Sequence, residues 1–307
     1  MLRYTLRRVL ESIPTLLLIV TIAFALLHAA PGGPFAADKG LLPEIQRSIE
    51  SRYHLDEPLW RQYLRYLGDL AHGDLGPSFQ YRNTSVNQII ATGLPIDVTV
   101  GLSAIALALL VGVPVGLNAG WRRHTLWDRA PMALAVAGMS LPVFVVAPLL
   151  VLIFAVRLHW LPAGDWVRGS PSHLLLPVVA LALPHIAYVA RIVRGSTLEV
   201  LGTAFIRTAR AKGLPAHRIL LHHVLRATLA PVVSFLGPTT AGIITISIVV
   251  ETVFGLPGIG RFFVTGALNR DYTLVLGITI LYGSLIVLFN LLADLCYAWL
   301  DPRVRLE

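Results

Sequence analysis

The chain has one cysteine, Cys296, two lysines, Lys39 and Lys212, and only 17 acidic residues against 25 basic ones in 307 positions. A lone thiol forms no internal disulfide and builds no cysteine-based zinc or iron–sulfur site. Charge of either sign is sparse: 14% of residues, against about a quarter in soluble domains. No G-x-x-x-x-G-K-[ST] occurs; "GLPGIGR" at 255–261 is glycine-rich but lacks the Lys-Ser/Thr ending, so no phosphate-cradling loop is recognisable. H-E-x-x-H is missing too. These gaps argue against nucleotide hydrolysis and zinc proteolysis within this chain.

Apolar sequence stands where the charge does not. Hydrophobic residues make up 55% of the chain, and the mean hydropathy is +0.70. Six runs meet or approach the roughly 20 residues that cross about 30 Å of hydrocarbon: Ile13–Ala30, Val98–Gly120, Pro131–Val156, Leu174–Ala190, Leu229–Val250 and Tyr272–Ala293. None contains Asp, Glu, Lys or Arg. The pattern predicts an all-α membrane protein of six transmembrane helices, with residues 1–307 as a single transmembrane domain. The fourth run is the shortest and is expected to extend a turn each way. Arg3, Arg7 and Arg8 precede the first, as in a signal peptide, but the run is too long for one. Cleavage after Ala29-Ala30 would leave Pro31 directly behind the cut. It reads as an uncleaved span.

A net charge of +8 does not point to nucleic acid, because the positives fall between apolar runs and form no single stripe. They set orientation instead. With the N-terminus inside, 15 of the 25 basic residues fall in cytoplasmic pieces, among them Arg122, Arg123 and Arg129, seven in 191–228, and Arg303 and Arg305 in the tail. Four lie in the short outer loops: Arg157, Arg168, Arg261 and Arg270. Both ends are therefore expected in the cytoplasm. The long segment 31–97 lies outside and spaces Ile45, Ile49 and Tyr53, then Leu59, Tyr63, Leu67 and Leu70, as two amphipathic helices. They either pack over the outer rim or meet an extracytoplasmic partner.

Ion-driven carriers place ionisable groups at membrane depth. Only His185 sits deep in a run, with His28 near an outer edge; each reads as a hydrogen-bonded core histidine before a proton carrier. Sodium sites built from carbonyls and hydroxyls stay open. His217, His222 and His223 have no carboxylate or thiol beside them in a strongly positive loop, which opposes a metal. With no acid in the apolar runs, no Ser-His-acid grouping forms there, which disfavours an intramembrane enzyme. Gly112, Gly116 and Gly120 present a small-residue face for a close helix neighbour. Pro114, Pro142, Pro148, Pro177, Pro184 and Pro238 bend helices, tolerable where neighbours or water satisfy the freed carbonyls. Asn290 and Asp294 are one turn apart at the end of the last run and read first as helix-to-helix hydrogen bonding.

Residues 205–218, FIRTARAKGLPAHR, carry the densest positive charge. Leu201–Gly213 forms a short helix on this reading, with Phe205, Ile206 and Ala209 on one side and Gly213 just past the end. Arg218–Ala227 leads on as a second helical stretch. Such a loop lies on anionic lipid, or inserts an apolar knob rimmed with arginine into a cytoplasmic protein.

The stretch resembles the cytoplasmic signature loop of ABC importer permeases, E-A-A then three residues then Gly, here Arg207-Thr208-Ala209 and Gly213. "MLRYTLRRVLESIPTLLLI", "APGGPF", "YHLDEPLWRQYLRYLGDLAHGDLGPSF", "ETVFGLPGIGRFFVTGALNRDY" and "YAWLDPRVR" are similar, in order and spacing, to the B-type permease subunit of oligopeptide importers. Dipeptide and nickel permeases are near relatives; a stand-alone ion-coupled carrier or channel is the rival of another class. The resemblance implies a type I ABC importer transmembrane domain in a bacterial inner membrane. It also implies a homologous second permease, two cytoplasmic ABC ATPases that hold the ATP and magnesium, and an extracytoplasmic peptide-binding protein. No cofactor is then expected in this chain. Within the coupling loop 191–228, Ala204, Phe205, Ile206, Arg207, Ala209, Arg210, Lys212 and Gly213 would meet the ATPase. Gly255, Pro257, Gly258, Gly260 and Phe262 would form an irregular outer gate. Ser140, Ser234, Thr239, Thr240, Thr245, Ser247 and Asn290 are the neutral polar candidates for a wet pathway, each equally open to helix-to-helix bonding.

Overall fold

Long apolar runs must close their backbone hydrogen bonds internally. The computed structural model, which describes residues 2–29, 51, 53–245 and 248–300, is helical through nearly all of them. In chain order the helices are α1 Leu2–Ala29, α2 Leu59–Ala71, α3 Val86–Trp121, α4 Leu126–Ser140, α5 Val143–Leu150, α6 Pro171–Leu201, α7 Ala204–Ala211, α8 Leu225–Thr245, α9 Ile248–Phe254, α10 Gly260–Leu268 and α11 Tyr272–Leu300. A π-helical turn, Val151–Arg157, prolongs α5, and Ala216–Arg218 with π-helical Ile219–Val224 leads into α8. No strand occurs among the described residues; one isolated antiparallel bridge joins Pro77 to Ser85. The expected helix around Ile45 and Ile49 lies outside the described residues, as do the tail arginines.

Among the described residues, five helical stretches are long and apolar enough to cross a membrane: Leu10–Ala29, Val86–Trp121, Pro171–Leu201, Ala216–Thr245 and Tyr272–Cys296. The sixth is α4 with the α5 stretch, bent by 104°. Here the expectation of one helix over Pro131–Val156 is corrected. Pro142 has no N–H to give, and it forces Leu141 out of the helical region to φ −87°, ψ 119°. The fourth span also differs, since α6 runs about three turns past Ala190. Arg191 and Arg194 thus stand on a helix and not in a loop. Helices α3 and α9 continue through Asp97 and Glu251, which the apolar runs had stopped short of. Both carboxylates are buried and engaged by neighbouring groups.

Two compact units divide the chain, one holding Ile96–Pro257 and the residues from Ile286 onward, the other Leu6–Pro95 and Gly258–Leu285. In the first, α6 is the central element. Its Leu176, Val178 and Leu181 pack with Val100 and Ile105 of α3, Ala147 of α5, Ile243 of α8 and Phe254 of α9. The three spaced glycines seat α3 on α6 as expected. A Cβ at Gly112 would fall 2.9 Å from the Ile186 carbonyl, one at Gly120 2.7 Å from Thr197, and one at Gly116 against the Ala190 carbonyl. In the second unit, Val20 and Phe24 of α1, Tyr66 of α2, and Leu276 and Ile280 of α11 form one cluster. Val86 and Ile89 of α3, Ile259, and Leu274 and Ile278 of α11 form another.

Candidate functional site

Helix α7 is short because both its ends are fixed. Thr203 enters in extended conformation, ψ 156°, and Gly213 leaves at φ +72°, a left-handed value that side chains resist. There the Gly213 N–H donates to the Arg210 carbonyl at 2.9 Å and the Leu214 N–H to the Ala209 carbonyl at 3.2 Å, a Schellman termination. Ile206 and Ala209 turn inward, into a cluster with Val189 and Val193 of α6, Leu117 of α3, Ile219, and Val224. Ile206 is 0% exposed, worth roughly 2 kcal/mol of anchoring. Of the apolar pair expected to meet an outside groove, only Phe205 is available, 49% exposed. Ala204, Arg207, Arg210 and Lys212 are exposed with it, Arg210 lying over the Trp121 ring at 5.7 Å. The expected helix boundaries, Leu201–Gly213, shrink to Ala204–Ala211.

The helix that delivers α7 is itself clamped. Arg194 of α6 donates from Nε to Asp128 Oδ1 at 2.5 Å and from Nη2 to Oδ2 at 3.0 Å. Asp128 is buried at the start of α4 and also accepts the His124 N–H at 3.0 Å. A two-pronged guanidinium–carboxylate bond fixes orientation as well as distance. The pair joins residues 66 positions apart, which no local pattern announces.

The expected outer gate divides between the units. In the first, Gly255 turns at φ +64°, Leu256 is buried and its N–H donates to the Glu251 carbonyl at 2.9 Å, and the Asp165 N–H caps the Phe254 carbonyl at 2.7 Å. Pro257 is half-buried. In the second, Gly258 and Ile259 pass so close to α3 that a Cβ on Gly93 would fall 2.9 Å from the Ile259 side chain. From Gly260 the backbone is helical, so the irregular segment is confined to about five residues and Phe262 belongs to α10. Phe262 meets Tyr81 edge-on at 5.4 Å.

One residue holds this second part together. Asp271 is 1% exposed and accepts from Ser78 Oγ at 2.5 Å, the Gln80 N–H at 3.1 Å and the Leu274 N–H at 3.2 Å, while the Thr273 hydroxyl beside it donates to the Pro77 carbonyl at 2.5 Å. It caps α11 and ties down the 73–85 turn at once. Beside it, Tyr81, Thr84, Gln88, Thr92, Arg261, Phe262 and Thr265 line a cleft of about 570 Å³. Tyr81, Thr84, Gln88 and Thr92 come from the 31–97 segment expected outside, and Arg261, Phe262 and Thr265 from the outer loop before the last span.

The described pathway candidates are spread over α4, α8 and α11. Ser140 and Ser234 are exposed, and their hydroxyls donate back to Val136 and Ala230 carbonyls at 2.9 and 3.3 Å. Thr245 does the same to Gly242 at 3.3 Å, Thr240 is buried, Thr239 half-buried, and Ser247 lies outside the described residues. Asn290 and Ala293 of α11 pack on Gly237 of α8, whose Cβ would stand 3.1 Å from Asn290 Oδ1. His185 and His28 donate from Nδ1 to the carbonyls of Leu181 and Phe24, each at 2.8 Å.

Residues 112–306 match the family of binding-protein-dependent transport system inner membrane components, and residues 1–102 match the N-terminal part of such membrane components. The chain belongs to this family. Over 305 residues, 99% of the chain and all of the relative, the permease is 53% identical to oligopeptide transport system permease protein OppB of Escherichia coli K12. It is 49% identical to OppB of Haemophilus influenzae across the same span, and 41% identical over its whole length to dipeptide transport system permease protein DppB of Bacillus subtilis. Among solved structures, a chain of an amino acid ABC transporter with histidines aligns at TM-score 0.55 and 17% identity, over 69% of the permease and 94% of that chain. A chain of the inward facing MetNI methionine ABC transporter aligns at TM-score 0.55 and 18% identity, over 69% and 96%. These two likenesses are of fold: the helices of the permease adopt the type I ABC importer arrangement.

Proposed function

We propose that the permease moves oligopeptides inward through a bacterial inner membrane as one transmembrane subunit of an ATP-driven importer. On this reading it pairs with a homologous second permease and receives peptide from an extracytoplasmic binding protein. Two ABC ATPases, which carry the ATP and magnesium, drive it from the cytoplasm. The basic residues set both chain ends and α7 on the cytoplasmic side. Helix α7 is the observation that carries the reading: a short helix, closed at both ends, rooted by Ile206 and presenting Phe205 amid Arg207 and Lys212. A root of that kind lets a push on Phe205 reach α6 directly. Full-length identity to OppB above that to DppB supports oligopeptides over dipeptides. A peptide zwitterion cannot shed its water into hydrocarbon. The hydroxyls, the Gln88 amide and the Arg261 guanidinium of the Tyr81–Thr265 cleft suit the mouth of its route, holding many peptides weakly and leaving selection to the binding protein.

The test is peptide uptake in proteoliposomes holding the assembled transporter. Phe205→Asp is expected to lower ATP-driven uptake at least tenfold while the subunits still assemble and ATP is still hydrolysed. Undiminished uptake would overturn the coupling role of α7. Uptake by the wild-type chain alone, without ATP, would favour a self-powered carrier.

A further inference from the structure

We infer that the permease has a binding site for the phosphate of an anionic phospholipid headgroup, in a cleft behind α7. A partly open cleft of about 230 Å³ lies between the end of α3 (Gly120, Trp121, then Arg123), the end of α6 (Leu198, Leu201, Gly202) and Arg210 of α7, with both arginines exposed. Arg123 and Arg210 line the same small space, and neither makes an ion pair or a side-chain hydrogen bond among the described residues. Trp121 lies beneath the Arg210 guanidinium at 5.7 Å, which holds that fork in place without consuming its N–H donors. The carbonyl ends of α3 and α6 explain why cations are tolerated here. What marks the place is that two exposed guanidiniums share one cleft and leave their N–H donors open to a ligand.

The chemistry fits a phosphodiester: two anionic oxygens for two forked donors. Position selects a lipid as its source. The cleft sits at the ends of two membrane-length helices, on the side that the basic residues place in the cytoplasm. Trp121 and Trp127 stand at that level, where amphipathic rings favour the headgroup zone. Leu198 and Leu201 supply an apolar wall for the glycerol end. Basic pockets at this depth favour anionic headgroups. An acidic side chain of a docked protein is the lesser fit, since Arg210 faces Trp121 and not the surface that carries Phe205. A bound headgroup ties α7 to the ends of α3 and α6, so lipid composition would tune how firmly the coupling helix is held. The site does not depend on what the permease carries.

Native mass spectrometry of the full-length chain in detergent, titrated with phosphatidylglycerol, tests this. The wild type is expected to retain one phosphatidylglycerol at about tenfold lower concentration than Arg123→Gln or Arg210→Gln, and than it needs for phosphatidylcholine. Arg123→Lys is expected between the two. Arg191→Gln, which removes an exposed positive charge outside the cleft, leaves retention unchanged. Equal retention by the wild type and both glutamine variants overturns the site. Equal retention of phosphatidylcholine, or a parallel loss in Arg191→Gln, reduces it to general stickiness. Displacement of the lipid by millimolar inorganic phosphate would make it a free-phosphate site, and overturns the lipid assignment.

Discussion

Helix α7 and the Asp271 turn are both short segments between long helices, yet they are held by opposite means. Behind α7 stand apolar side chains, Ile206 and Ala209 against α6, with one ion pair a few turns back at Asp128–Arg194. Around Asp271 stand three directed hydrogen bonds to one buried carboxylate. Apolar contact is non-directional and survives sliding; a carboxylate with three donors does not. On the proposed reading, the first arrangement would let a rigid piece be pushed; the second holds a turn in register.

The sharpest way to break the α7 side is through its support. Gly116→Leu drives a side chain into the Ala190 carbonyl and separates α3 from α6. A loss of about 4 kcal/mol, or no folded protein, is expected in denaturant titration of the detergent-solubilised chain. On the other side, Asp271→Ala strands the Ser78 hydroxyl and two backbone N–H groups, for about 3 kcal/mol by the same measurement. Asp271→Asn, with one acceptor oxygen left, should fall between; if it matched wild type, charge would be irrelevant to the turn. Asp128→Ala leaves Arg194 unpartnered, but the arginine is 31% exposed, so about 2 kcal/mol is expected. Phe205→Asp, expected to lower uptake, should move stability by no more than about 0.5 kcal/mol. A large loss there would mean that Phe205 belongs to the core after all.

Much of this was legible because it is local. Apolar run length gives the spans, glycine spacing gives the α3–α6 face, and Gly213 before Leu-Pro gives the end of α7. Where reading stopped, the cause was a distant partner. Ile206 and Phe205 are equally apolar neighbours, and only α6 decides which one is consumed by the chain itself. Ser78 and Asp271 are 193 positions apart. Half of that site still carried a signal: an Asp three residues before Leu274, at the head of an apolar run, is an N-cap pattern. Asp97 and Glu251 were missed for a simpler reason, since counting apolar residues ends a span at the first charge whether or not the helix ends there.

The elbow at Leu141-Pro142 has a geometric consequence. Each limb is about 15 residues, or about 22 Å at 1.5 Å per residue. Neither alone reaches across a bilayer, but joined at 104° their far ends stand about 27 Å apart. The first 10° of straightening would add about 3 Å to that reach, and each further step less. A bent pair can therefore match a membrane thickness through its angle, where a straight helix matches it only through its length.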